Sequence, residues 1–170
     1  LRIGQLGIGI NDPDFFPLTV GNYILGSPNL VSRLGIEVRE KRGLTYGVAS
    51  QFIPMPAIGP FIISLSTRNK EAQNAATVSE NVLKEFLETG PSEEELKAAK
   101  HYLIGSFPLS LSGNSNIAAM LLHLAFYHLP EDYLNTYVQR IKAVNQEDVK
   151  AAFNRHIAVD KLLHISVGQP

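Results

Sequence analysis

Arg39 and Tyr46 are the two residues of this 170-residue chain best suited to act on a ligand. A guanidinium offers a planar fork of N–H donors and a phenol offers one O–H, so both can hold a carbonyl oxygen. Two donors without a base or a nucleophile suit backbone positioning and oxyanion stabilisation, not proton transfer. The same spacing has a structural alternative, in which Arg39 pairs with an acid such as Glu40 and Tyr46 packs in a sheet. Other patterns carry less chemistry. His101, His123, His128, His156 and His164 are the five histidines. Neither His-Glu-x-x-His nor His-x-x-Glu-His occurs, so no helix is expected to present two zinc ligands one turn apart. Ser110-Leu111-Ser112-Gly113 lacks the Gly-x-Ser-x-Gly elbow of a serine nucleophile. Gly7-Ile8-Gly9 lacks the third glycine and the following helix of a dinucleotide turn. Cysteine is absent, which removes disulfides, thiolate metal sites and cysteine nucleophiles together. No metal site is expected in this chain.

The elements that must position Arg39 and Tyr46 can be read from periodicity. Residues 1–10 read as a strand and 15–25 as a helix stopped by Gly26-Ser27-Pro28-Asn29. A second helix is predicted over 30–41, where Leu30, Leu34 and Val38 recur every four residues. Gly43 fits a cap just past its end. Residues 45–53 and 61–68 alternate as the two strands of an antiparallel hairpin across the proline-rich loop 54–60. Arg39 then stands near the last helical turn and Tyr46 near the first strand position, a junction that can turn both side chains into one opening.

Residues 70–88 are predicted helical, with Ala72, Ala75, Ala76, Val82, Leu83 and Phe86 inward. Ser92-Glu93-Glu94-Glu95 is a capping box with an acidic first turn, opening a helix that runs past Leu103. Helical patterns follow at 116–128, 130–143 and 146–153, and 161–167 reads as a closing strand. Runs of strands and runs of helices point to an α+β domain, a mostly antiparallel sheet with helices packed on one face. No linker or internal repeat divides residues 1–170, so one domain is expected.

Bulk properties narrow the function. Apolar residues make up 45% and charged residues 18%, so the chain is globular rather than disordered. Lys plus Arg is 15 against 16 acids, a net charge of −1. A chain so balanced lacks the basic excess of a nucleic-acid binder. The longest apolar stretch, 117–129, is too short for a membrane span and reads first as a core helix, with a contact surface for another domain as the alternative for it and for the strand 1–10. Residues 1–10 have no basic stretch leading into a long apolar run, the pattern of a secretory leader. The strand-like start without Met suggests a fragment of a longer polypeptide, and the compartment stays open between bacterial cytoplasm and periplasm.

Ser32-Arg33-Leu34, followed by Arg39-Glu40-Lys41-Arg42-Gly43-Leu44-Thr45-Tyr46, resembles the second-domain signature of the insulinase/pitrilysin family of zinc peptidases. Gly59-Pro60-Phe61, the helix start at Glu93 and the Val144-Asn145-Gln146-Glu147-Asp148-Val149 stretch extend the likeness over nearly the whole chain. The resemblance implies a chamber of two similarly folded halves, of which this is the C-terminal, non-zinc one. The zinc-bearing half, on the same chain or on a separate subunit, is then the partner, and peptides or unfolded proteins are the substrate. Arg39 and Tyr46 take the role of holding the substrate backbone and stabilising the tetrahedral intermediate. This chain by itself is expected to be inactive. The alternative within the family is a catalytically inert scaffold of the same fold.

Overall fold

The computed structural model describes residues 1–27 and 31–168. Four short strands, β1 (Arg2–Leu6), β2 (Val48–Phe52), β3 (Pro60–Leu65) and β4 (Leu163–Ile165), form one sheet in the order β2-β3-β1-β4, with every neighbouring pair antiparallel. The register aligns Ser50, Ile63, Ile3 and His164 in one row across it. Ser50, Ile63 and Ile3 are buried against the helices. The next row, Gln51, Ile62, Gly4 and Leu163, points the other way and is half-buried to exposed, as a period of two requires. The α+β architecture read from the order of the elements is therefore the observed one.

Among the described residues there are six α-helices, α1 (Phe15–Gly26), α2 (Ala72–Thr89), α3 (Glu93–Ser110), α4 (Asn114–Phe126), α5 (Tyr133–Ala143) and α6 (Gln146–His156), and all but α4 pack together, through α1 on β2, over the buried face. Helix α1 is the hub, packing on β2, α3, α5 and α6. Its Asn22 grips β2 by donating from Nδ2 to the Ser50 carbonyl at 3.0 Å and accepting from Ser50 Oγ at 2.8 Å. Its Gly21 lets α6 close in, because a Cβ there would lie 2.4 Å from the Phe153 ring. Phe153 is fully buried and meets Phe86 edge-to-face at 4.9 Å and Phe52 at 5.7 Å. This ring cluster joins α2, α6 and the sheet.

Three expectations change. The first strand ends at Leu6 rather than residue 10, because residues 7–10 run beside the 55–59 loop, with Gly7 N–H donating to the Gly59 carbonyl at 2.7 Å and Ile10 N–H to that of Met55 at 2.9 Å. The hairpin strands are shorter than expected, the first beginning at Val48 rather than residue 45 and the second ending at Leu65 rather than residue 68. The apolar stretch expected to form a core helix is helical, as α4, but buries none of its residues, and no closely packed pair of elements includes it. A helix is buried only where another layer lies against it. The predicted helix start at Leu30 and the stop residues Pro28 and Asn29 lie outside the described residues.

Phe153→Ala empties the centre of the ring cluster, and a fully buried phenylalanine costs about 3–5 kcal/mol when truncated. A urea titration is expected to show that loss with little change in the slope of the transition.

Candidate functional site

The segment that carries Arg39 is anchored before it reaches the site. Ser32 is buried, and its Oγ accepts from Gly35 N–H at 3.2 Å. Arg33 reaches across to the junction of α2 and α3. Its guanidinium donates to both Glu95 carboxylate oxygens, at 2.8 and 2.7 Å, to the Gly90 carbonyl at 2.8 Å and to Thr89 Oγ1 at 3.2 Å. It also lies over the Phe86 ring, 5.0 Å from its centroid. Glu95 in turn completes the capping box of α3, accepting from Ser92 N–H at 2.7 Å.

From this anchor the chain widens into a π-helical stretch, Gly35–Glu40, closed by Lys41 N–H on the Ile36 carbonyl at 2.9 Å. Such widened turns recur at functional sites because they shift side chains off the regular helical register. Gly43, at φ +58, then turns the chain, with its N–H on the Arg39 carbonyl at 2.9 Å. That left-handed backbone is the one a C-terminal glycine cap supplies.

The turn that follows is stitched to the end of β3 by two hydroxyls. Thr45 Oγ1 hydrogen-bonds to the Ser66 carbonyl at 2.6 Å and the Gly47 carbonyl at 2.8 Å, and Thr67 Oγ1 donates to the Leu44 carbonyl at 2.5 Å. These bonds hold residues 44–47 as a turn rather than as the start of the strand. Tyr46 is the exposed tip of that turn, with 98% of its surface in solvent.

Between the helix end and the end of β3 lies an opening of about 590 Å³, lined by Arg39, Gly43, Leu44, Thr45, Tyr46, Ser66, Thr67 and Arg68. Arg39 and Tyr46 thus border the same space. Among the described residues Arg39 forms no ion pair, with Glu40 or any other acid. Its neighbours Lys41 and Arg42 are instead both taken by Glu37, whose carboxyl they hold below its ordinary value. No Asp, Glu or His lines the opening. The Thr45 and Thr67 hydroxyls are committed to backbone carbonyls. The site can therefore donate hydrogen bonds to a carbonyl or an oxyanion, but it offers no proton acceptor for general-base work.

Sequence reasoning did not single out Arg68, Thr45 or Thr67. The hairpin contained a signal for them. Continuing the register of Val48 with Leu65 sets Thr45 opposite Arg68 and Tyr46 opposite Thr67.

The histidines go elsewhere. Among the described residues one group is dense enough to hold a metal ion, Asp12, Asp14 and His156, with ligand atoms all within 4.8 Å of one another. Arg155 already donates to both Asp14 oxygens, at 2.8 and 2.7 Å, and His156 Nε2 lies 2.9 Å from one of them. A guanidinium on both oxygens is the cation of this site, so the group fits a clamp between α6 and the start of α1 rather than a zinc centre. His164 lies 2.8 Å from Glu80, and His123 rests against the Tyr127 ring. No helix among the described residues is long and apolar enough to cross a membrane.

Residues 1–103 match the family described as the peptidase M16 inactive domain. A crystal structure of the peptidase M16 inactive domain from Pseudomonas fluorescens is 43% identical and superposes with a TM-score of 0.89, over 95% of this chain and 38% of that one. The non-peptidase homolog YmxG of Helicobacter pylori is 27% identical over 82% of this chain and 32% of its own length. An uncharacterized zinc protease of Streptomyces coelicolor is also 27% identical, over 88% of this chain and 32% of its own length. The chain thus spans about a third of the length of these curated relatives.

Two carboxylates in the scaffold give a pH test. Burial raises the Glu95 pKa, but the hydrogen bonds from Arg33 and Ser92 more than offset it and hold it below its ordinary 4.5. The Arg155 fork, aided by His156, likewise lowers that of Asp14. A depressed folded pKa gives stability that is complete above the unfolded value and is lost as pH falls through the folded one. The unfolding free energy is expected to drop once pH passes below about 4.5. Glu95→Gln can keep the capping box while removing the charge. It should lower stability at neutral pH and flatten the acid limb, measured as urea midpoints from neutrality to about pH 3.

Proposed function

This chain belongs to the peptidase M16 inactive-domain family, and from that membership we propose that it is the substrate-holding half of a zinc-dependent peptidase. The observation that supports this reading most directly is the opening in which Arg39 and Tyr46 offer donors without a base. Arg39 holds the backbone carbonyls of an extended peptide, and the Tyr46 hydroxyl donates to the oxyanion that develops at the scissile carbonyl. Zinc does not fit this chain. His-x-x-Glu-His is absent from its sequence, and Arg155 holds the one described group of three ligands. The metal is assigned to a second, homologous half, on the same polypeptide or on another subunit.

The surface supports such a second half. Leu121, Leu122 and Phe126 of α4 are 54%, 70% and 65% exposed. On the outer sheet face Leu6, Leu163 and Ile165 are also more than half exposed. On the reading proposed here these two apolar surfaces are where the second half docks.

A second reading has one observation in its favour: the Helicobacter pylori relative is named a non-peptidase homolog. In that reading the domain docks to a related half and performs no chemistry. Turnover separates the two. In the full-length protein with its partner half, Arg39→Ala or Tyr46→Phe is expected to lower kcat for a fluorogenic peptide by about a hundredfold to a thousandfold, the usual cost of one lost oxyanion donor. The thermal midpoint should not move, because both side chains are exposed. Wild-type turnover in the double variant sinks the peptidase reading. Leu122→Asp, placing a charge on the α4 surface, should weaken association with the other half in sedimentation velocity while leaving the fold intact.

A further inference from the structure

The opening holds a second guanidinium. Arg68 follows directly on Thr67, whose hydroxyl bonds to the Leu44 carbonyl, and its extended backbone, at φ −65 and ψ 141, leads into the turn that starts α2. Its position is therefore fixed on both sides, on the wall that ends β3. Arg39 stands on the facing wall, which ends the π-helical stretch. The other arginines are committed: Arg33 to Glu95, Arg42 to Glu37, Arg155 to Asp14, Arg140 over the Phe16 ring and Arg2 to the Leu1 carbonyl. Among the described residues Arg39 and Arg68 alone have a guanidinium without an ion pair, a hydrogen bond or a ring contact, and both line one opening that no carboxylate lines.

Two uncommitted cations lining one opening on a chain of net charge −1 form a local positive field at odds with the whole. Backbone carbonyls alone do not call for it. A carbonyl oxygen is neutral and takes at most two donors, which the Arg39 fork can supply alone. A second guanidinium adds strength for an anion, above all a carboxylate that two forks can grip together. We propose that Arg68 is a specificity residue, which with Arg39 selects peptide segments bearing a carboxylate, either an acidic side chain or a free C-terminus. This rests on the substrate-holding reading above, but it concerns which peptide is held and not whether it is cut.

Equilibrium binding tests it independently of cleavage. Fluorescein-labelled peptides of one sequence are titrated with the full-length protein by anisotropy, in two matched pairs: an internal Glu against Gln, and a free C-terminal acid against its amide. The expected wild-type ratio of affinities is about twofold to fivefold in favour of the carboxylate in at least one pair, the range for exposed charge pairs. That ratio should shrink as ionic strength rises. The pair that discriminates identifies the source of the carboxylate. Arg68→Gln should bring the ratio to one, whereas Arg68→Lys, which keeps the charge, should retain part of it. A ratio of one in the wild type, a ratio that persists in Arg68→Gln, or no binding of any peptide overturns the proposal. Failure of the peptidase reading is a different result, unaltered turnover in the Arg39 and Tyr46 variants, and leaves these ratios readable.

Discussion

The Arg33 guanidinium is the contact on which the site's geometry depends. It satisfies the carboxylate of Glu95, the carbonyl of Gly90 and the hydroxyl of Thr89 at once, and covers the Phe86 ring. A hydrogen bond to a charged group contributes about 1.5–3 kcal/mol, so a bidentate pair with two further acceptors is a strong tether for a segment that otherwise buries only a few side chains. Its partner does two things. Glu95 also caps α3, so one carboxylate fixes where α3 starts and where the helix bearing Arg39 is held. Loss of either charge would leave the other half-buried without compensation, which costs more than the pair's own net worth.

From that anchor rigidity is handed along the backbone and released only at the tips. The π-helical turn, the left-handed Gly43 and the Thr45 and Thr67 hydroxyls each fix main chain, while Arg39, Tyr46 and Arg68 extend into solvent. Exposed donors cost the fold nothing, because water satisfies them. They are also weak there, since in water two unit charges 4 Å apart interact by only about 1 kcal/mol. The same donors gain strength when a bound peptide and a covering surface exclude water.

Much of this was legible in the sequence, and what was not has a physical reason. The Ser92–Glu95 capping box, the Gly43 turn and the inward row of α2 are local signals, decided by residues three or four apart, and they were read correctly except that Ala72, counted with Ala75, Ala76, Val82, Leu83 and Phe86, is only half-buried. Arg33 was legible only as part of a motif. Its partner lies 62 residues away, and no periodicity connects them. Glu95 was read as the capping-box carboxylate of α3, which it is, but its pairing with Arg33 was not foreseen. Placing Tyr46 in the strand failed because alternation continues through Thr45 and Tyr46, whereas the Thr45 hydroxyl diverts the backbone into a turn. Arg68 was within reach, since the hairpin register sets it opposite Thr45, but it was counted as the last residue of a strand.

The remaining failure, α4, concerns the design of the domain. Its apolar pattern was expected to pack in the core, and it forms the helix without the burial. The core is nonetheless complete without it: α1, α2, α6 and the sheet close around Phe153, Phe86 and Phe61, all fully buried. The hydrophobic residues of α4 are therefore surplus to this domain's own folding. Surplus apolar surface raises the free energy of the chain in water by about 25 cal/mol for each Å² left exposed, and that cost is recovered when another surface covers it. The outer row of the sheet shares this property, with Leu6, Leu163 and Ile165 exposed on the side away from the helices. A domain whose core closes on one face of its sheet, while apolar side chains stand out on the other face and along α4, is suited to be one wall of a larger enclosure.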